Sequence, residues 1–210
     1  SRAISNSKIM FIAATVLLES IRCETGVCSK IVNYLSDPAL ESSSIERSIT
    51  MISKTMITKF VGLAQLSTSP SFNSKTIASQ LNEILLYLVH RNPKLQEVAF
   101  TSCNLFIKNM PSALCHHDSL YTLLDLMTTV FDSILDCERN RFQPHFEFTL
   151  KHSGTKVLFP ASKDWRTATL KKLHSAGKEW VKIILNKANQ DTKILLQSYI
   201  SDIQQFVRLN

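Results

Sequence analysis

The stretch "LYTLLDLMTTVFDSIL", residues 120–135, carries apolar side chains at steps of three and four residues. They are Leu120, Leu123, Leu124, Met127, Val130, Phe131, Ile134 and Leu135. Because an α-helix turns once every 3.6 residues, this spacing places them on one face and predicts an amphipathic helix. Asp118 stands before the stripe, at the position where a residue that caps the helix N-terminus is expected.

Similar stripes occur on both sides of this helix and predict an all-α protein with seven or eight helices. They lie at about 43–66, 77–88, 95–106, 170–184 and 194–206, and Asp191 is the expected start signal of the last helix. Helix pairs recur about every 40 residues, which favours an α-solenoid of antiparallel pairs of the HEAT or armadillo type. A compact irregular bundle is the alternative. In either case residues 1–210 form a single helical segment, with an exposed loop at about 36–44.

The apolar run KIMFIAATVLL, residues 8–18, requires a separate interpretation. It is too short to span a bilayer, and Glu19 and Arg22 follow it directly. We therefore expect a buried core helix here. Since the chain begins without methionine, we also expect it to be a piece of a larger protein.

One short stretch departs from the helical pattern. In "FEFTLKHSGTKVLFP", residues 146–160, apolar residues alternate, a turn is indicated at Ser153-Gly154, and Pro160 ends the second alternating run. This pattern predicts a β-hairpin insertion at about 145–160, with strands near 146–159. Phe146, Phe148 and Leu150 are expected to point one way, and Ser162 or Asp164 is expected to cap the next helix.

Several residues are predicted to lie in the core. Ile52, Leu124 and Trp180 represent three different helices, and Trp165 is expected to be a second tryptophan anchor. The five cysteines, an odd number, lie mostly among aliphatic residues, where a free thiol behaves as a small hydrophobe. No disulfide framework is implied, and a reducing environment is expected.

The chain offers little that resembles catalytic chemistry, and we predict no catalytic, cofactor-binding or metal-binding residue in it. Its four glycines are too far apart for a phosphate-binding loop. Asp132 and Asp136 could share a helix face as an acid–base pair, although a solvated face is far more common. Cys115-His116-His117 could ligate zinc, but adjacent residues rarely converge on one ion.

The positive charge is concentrated in one part of the sequence. The chain has a net charge of +7, and residues 139–193 alone carry +8. On a helix, Lys171, Lys178 and Lys182 fall within about 40° of one another. This patch could face an acidic partner or anionic lipid, or it could be a solvated face. Nucleic acid is not expected, because no recognition motif accompanies the charge.

From Phe148 onward the order of features resembles a known family. The segment "KVLFP" is followed by "SKDWRTATLKKLHSAGKEWVKIILNKA" and then by "DTKILLQSYI". This is similar to the helical region upstream of the catalytic domain in the type III alpha phosphatidylinositol 4-kinases. The matching positions are Pro160, Trp165, Arg166, Ala188, Thr192, Lys193, Leu196, Gln197 and Tyr199. Trp165 stands where the family pattern has tyrosine, and Asn189 stands where it has proline.

The resemblance implies a structural scaffold segment of a lipid kinase that makes phosphatidylinositol 4-phosphate at the plasma membrane. The parent would bind ATP and magnesium outside this segment and would be recruited peripherally from the cytoplasm. Implied partners are other parts of the same kinase, adaptor proteins of a plasma-membrane complex, and a second copy of the parent in a homodimer. Direct membrane contact stays open. The alternative is a free-standing HEAT-like adaptor in membrane trafficking or nuclear transport, which a kinase domain downstream in the same reading frame would exclude.

Overall fold

The computed structural model describes residues 5–41, 43–140 and 142–209, with side chains as far as residue 205. The described residues form eight α-helices, three short 3₁₀ helices and one two-stranded sheet. The α-helices are α1 (Asn6–Glu24), α2 (Lys30–Tyr34), α3 (Glu46–Leu66), α4 (Ser74–Leu85), α5 (Pro93–Asn109), α6 (His117–Arg139), α7 (Lys163–Lys187) and α8 (Asn189–Leu209). The strands are β1 (Glu147–Thr149) and β2 (Lys156–Leu158), and the 3₁₀ helices are Pro70–Phe72, Leu86–Val89 and Pro111–Ala113.

The helices stack in two rows. In one row α1, α3, α5 and α7 contact one another in that order, and in the other α4, α6 and α8 do the same. Contacts of α4 with α5, and of α6 with α7, join the two rows. The prediction of an all-α, solenoid-like fold with one hairpin is confirmed.

Side-chain caps mark several of the helix starts. Asn73 accepts a hydrogen bond from the Thr76 amide at the start of α4, and Asn92 accepts bonds at the start of α5. Ser162 accepts from the Trp165 amide, so Ser162 caps α7 as expected. Each of these bonds satisfies an amide that has no partner within the helix.

Two predicted helix starts are displaced along the chain. Helix α6 begins at His117, so Asp118 lies in its first turn and the prediction that Asp118 is the cap is wrong. Helix α8 begins at Asn189, and Asp191 likewise lies inside the first turn. Acidic residues are favourable at both positions because the N-terminal turn of a helix carries a partial positive charge. The sequence signal therefore identified the turn but not its first residue.

The core contains the predicted anchors to different extents. Trp180 is fully buried and Ile52 is buried, whereas Leu124 and Trp165 are partly buried against the core. Phe131 is 51% exposed, contrary to its predicted place in the stripe. Helix α6 contacts α4, α7 and α8 on different sides, so one apolar face does not describe its burial.

Helix α1 corrects the interpretation of residues 8–18. Its buried residues are Thr15, Glu19 and Cys23, which lie on the side that contacts α3. Its exposed large apolar residues are Ile9, Met10, Phe11, Val16, Leu17, Leu18 and Ile21. The prediction of a buried core helix is wrong, because within the described residues α3 covers only one side of the helix and most of the large apolar residues lie on its other sides.

The hairpin packs one face against the helices. Leu150, Val157 and Phe159 are buried and Phe148 is partly buried, as the alternation predicts, whereas Phe146 is 55% exposed. The strands pair antiparallel, and Phe148 lies opposite Val157. A two-stranded sheet is marginal in water, so this packing is what stabilises the hairpin.

Four of the cysteines are buried in the positions expected of small hydrophobes. They are Cys23, Cys28, Cys103 and Cys137, whereas Cys115 is partly buried. Burial raises the pKa of the Cys23 thiol to about 11, above its usual range. These thiols serve as packing groups.

Candidate functional site

The predicted basic patch lies on the exposed side of α7. Lys171, Lys178 and Lys182 are all exposed, and the same helix buries Leu173 and Trp180 on its opposite side. None of the three lysines makes an ion pair with a carboxylate among the described residues. The patch is therefore a solvent-facing stripe of charge with no acidic partner within the described part of the chain.

Replacing all three lysines with glutamate separates the two interpretations of this patch. If they face anionic lipid, each contact contributes about 1 kcal/mol and weakens with salt. We expect the solvated face, so binding to phosphatidylserine liposomes should change less than about twofold in Kd. Liposome co-sedimentation against neutral liposomes measures this. Strong, salt-sensitive binding that the triple variant loses would show that the patch faces the membrane.

The two acidic residues considered for acid–base chemistry serve structural roles instead. Asp136 accepts hydrogen bonds from the backbone and ring of His145 and from the side chain of Asn140. Desolvation alone would raise the pKa of Asp136, but these hydrogen bonds outweigh it and lower the pKa to about 2. Asp132 lies 3.6 Å from the Lys151 ammonium. The Asp132 and Asp136 carboxylates therefore interact with different partners.

The Cys115-His116-His117 segment does not gather ligands around one point. The Cys115 thiol lies 3.8 Å from the Thr192 hydroxyl, and the His117 ring lies tilted against that of Tyr121 with 3.9 Å between centroids. Across residues 5–41, 43–140 and 142–209, no group of three or more histidine, cysteine or acidic side chains could hold a metal ion.

A buried arginine joins the hairpin to the helices. Arg166, in the first turns of α7, is fully buried and donates to the carbonyls of Pro160 (2.9 Å), Ser133 (2.6 Å) and His145 (2.6 Å). Its guanidinium also lies 5.3 Å from the ring centroid of Phe148 in β1. One side chain therefore ties α6, the segment entering β1, and the end of β2 to α7.

A second buried charge organises the hairpin turn. Asp125 of α6 is 1% exposed and accepts bonds from the His152 backbone (2.8 Å), the His152 ring (2.7 Å) and the Tyr199 hydroxyl (3.0 Å). Desolvation raises the pKa of Tyr199 well above its usual range, so this hydroxyl stays neutral. The cluster fixes the turn and α8 to α6.

These two anchors were not identified as sites from the sequence. In the sequence, only the family pattern indicates Arg166 and Tyr199, and no pattern indicates Asp125. Arginine and aspartate are almost never fully buried unless they are paired, so composition gives no signal for either residue. The family pattern was the one clue, and it pointed to residues that hold the fold together.

The described helices contain no stretch that is both long and apolar enough to cross a bilayer. Helix α1 exposes seven large apolar side chains, but polar and charged residues interrupt its apolar sequence.

Comparison with known proteins gives matches along the whole chain. The sequence is 58% identical over 209 residues to phosphatidylinositol 4-kinase STT4 of Saccharomyces cerevisiae, and 25% identical over 205 residues to phosphatidylinositol 4-kinase stt4 of Schizosaccharomyces pombe. These alignments cover 100% and 98% of this chain, but the chain spans only 11% of the length of either relative. No family profile matches the sequence.

Proposed function

The chain belongs to the phosphatidylinositol 4-kinase type III alpha family, and from this premise we propose that it is a non-catalytic scaffold segment of such a kinase. The observation that carries the proposal is the 58% identity over 209 residues, all of it to one stretch of a much longer kinase. The whole enzyme would make phosphatidylinositol 4-phosphate at the plasma membrane, to which it would be recruited from the cytoplasm. ATP and magnesium would bind elsewhere in the parent.

The geometry supports a scaffolding role for this segment. Two of its fully buried polar residues, Arg166 and Asp125, bond to backbone and to structural side chains, and their burial keeps both out of reach of a substrate. Stacked helix rows bury one face and leave long outer surfaces available for other domains or proteins. We propose that these surfaces support homodimerisation of the parent and docking of its adaptor proteins.

The exposed face of α1 is one such surface. Its apolar residues are exposed by 38% to 72% each, which is more than isolated surface residues would account for. A contiguous apolar face of this kind is typical of an interaction site.

Removing this segment should separate catalysis from assembly. We expect the full-length kinase without residues 5–209 to keep activity on phosphatidylinositol in detergent micelles within about threefold, a cost of less than about 1 kcal/mol in the activation barrier. It should lose its homodimer and its adaptors. The chain alone should give no product above background. Lipid phosphorylation assays, light scattering and co-purification measure the three quantities.

The control is the full-length kinase in which the segment is replaced by its 58% identical counterpart from the yeast relative. This exchange should preserve both activity and assembly. A deletion that abolishes micellar activity but leaves the dimer and adaptors intact would contradict the scaffold role. So would product that increases with the concentration of the isolated chain.

A further inference from the structure

The outer edge of β2 carries backbone groups that the hairpin does not use. The Phe159 amide donates to the Phe146 carbonyl at 2.8 Å, which identifies the residues of β2 that bond to β1 as the odd-numbered ones. Because bonding alternates along an antiparallel ladder, Lys156 and Leu158 direct their N–H and C=O groups away from β1. Within the described residues these groups make no hydrogen bond. Both residues are exposed, and within the described residues no strand is paired with this edge.

A groove of about 830 Å³ runs beside this edge. The strand β2 forms one wall and the 3₁₀ helix Leu86–Val89 forms the other. Val157 and Phe159, both buried, contribute apolar surface from the hairpin side. An extended chain places successive side chains on opposite faces, so every second residue of a docked strand could enter this groove.

The charges around the groove favour an acidic occupant. Lys30 pairs with Glu83 at 2.9 Å, and Lys156 pairs with Glu147 at 2.7 Å. Arg91 also lines the groove, is exposed, and has no carboxylate partner within the described part of the chain. The uncompensated charge at this groove is therefore positive, and it complements a carboxylate.

We propose that the outer edge of β2 docks an extended segment of an adaptor protein in which acidic and apolar residues alternate. This inference rests on the proposed adaptor-docking function and names the surface and the partner chemistry. The partner's backbone bonds to Lys156 and Leu158, its apolar side chains enter the groove, and a carboxylate pairs with Arg91. Main-chain bonds supply the affinity, and the groove and the arginine supply the specificity.

An acidic segment fits better than a second copy of this chain. The chain itself carries a net charge of +7, so the same edge of another copy brings positive charge towards Arg91. Lys156 on the edge also opposes pairing with neutral or basic strands, as edge lysines commonly do. The same lysine is compatible with a carboxylate-rich strand.

The experiment uses a fluorescein-labelled peptide of alternating valine and glutamate, titrated into the full-length kinase. We expect saturable binding, with at least tenfold slower hydrogen exchange at the amides of Lys156 and Leu158. The amide of Val157, which already faces β1, should change little. A peptide with N-methyl groups on alternate residues, and one with lysine in place of glutamate, should each bind at least tenfold more weakly.

Two protein variants complete the test. Arg91→Glu should weaken peptide binding at least tenfold, whereas Lys108→Glu, an exposed charge reversal on α5, should leave it unchanged. In the full-length kinase, Arg91→Glu should also reduce adaptor co-purification tenfold while the homodimer persists.

Several results would overturn the proposal: no peptide binding, binding without protection at Lys156 and Leu158, equal binding of the N-methylated peptide, or adaptor co-purification unaffected by Arg91→Glu. The scaffold proposal depends on the deletion experiment and not on this groove. Failure of the peptide assay with loss of assembly in the deletion would therefore reject only the β2 edge.

Discussion

Replacing Arg166 with alanine is expected to lower the free energy of unfolding by about 3–5 kcal/mol. The guanidinium is fully buried and donates to three backbone carbonyls, at Pro160, Ser133 and His145. Its loss removes a charged donor from these carbonyls, of which that of Ser133 is buried, and creates a cavity between α6 and the hairpin. The Asp136 carboxylate, 4.0 Å from the guanidinium, also loses a compensating charge.

Urea denaturation followed by circular dichroism measures this change. Arg166→Met tests the hydrogen bonds separately from the volume, because methionine fills much of the space but donates nothing. We expect it to recover less than half of the loss. Lys163→Ala is the matched control, since its ion pair with Glu138 is exposed and should contribute about 0.5 kcal/mol or less. An Arg166→Ala midpoint as high as that of Lys163→Ala would mean that Arg166 does not anchor the hairpin.

The same variant should loosen the hairpin before the helices unfold. Val157 lies in β2 and Phe159 directly follows it, next to the Pro160 carbonyl that Arg166 holds, and two strands alone are marginally stable. Their amides should therefore exchange faster in Arg166→Ala, while amides in the middle of α3 should be affected only by the global loss of stability.

The helices and the hairpin were predictable because their signals are local. The stripe at 120–135 lies within α6 and the alternation at 146–160 lies within one hairpin, and the period of each pattern identifies the structure directly. The Ser162 cap was also predictable, since its hydroxyl bonds an amide only three residues away. Features that depend only on residues close together in the chain can therefore be predicted from the sequence.

The buried anchors and the exposure of α1 were not predictable because they depend on which elements meet. Nothing near Asp125 in the sequence indicates that His152 and Tyr199 will converge on its carboxylate. Residues 8–18 are as apolar as a core helix, and only the position of α3 on one side determines which residues are covered. The amino-acid composition of a helix shows how apolar it is but not how many other helices pack against it.

The anchors show which structural roles some residues of the family pattern have. Arg166 joins the hairpin to α7, Tyr199 joins α8 to Asp125, and Thr192 is fully buried at the start of α8. Arg166 and Tyr199 hold elements together around the hairpin, whereas the Thr192 hydroxyl contacts the Cys115 thiol and the Ile184 carbonyl at the other end of α7. The family pattern therefore includes residues that join elements of the structure.

Replacing Trp180 with aspartate is expected to cost more than about 5 kcal/mol, enough to unfold a domain of ordinary stability. The indole is fully buried, its ring lies 6.2 Å from that of Phe100, and its Nε1–H donates to the Asn104 side chain at 2.6 Å. An aspartate there would place a charge between α5 and α7, at a position that is fully buried.

Graded substitutions distinguish the charge from the lost packing. Trp180→Phe keeps most of the apolar contact but loses the bond to Asn104, so we expect a cost of about 1–2 kcal/mol. Trp165→Phe is the matched control because Trp165 is only partly buried, and it should cost less than about 1 kcal/mol. Ile52→Asp should approach the effect of Trp180→Asp, whereas Leu124→Asp should cost less, because the Leu124 side chain is partly exposed and its carboxylate can reach water.

Circular-dichroism melts rank the five substitutions, and the tryptophans that remain in α7 report by fluorescence whether this helix stays folded. Among the aspartate variants, we expect the loss of stability to increase with the burial of the replaced side chain, because a charge costs most where no solvent can reach it. If Trp180→Asp melts no lower than Leu124→Asp, then α7 does not pack against α5 through Trp180. The stacking of the odd-numbered helices would then need a different interface, because Trp180 is the largest side chain buried between these two helices.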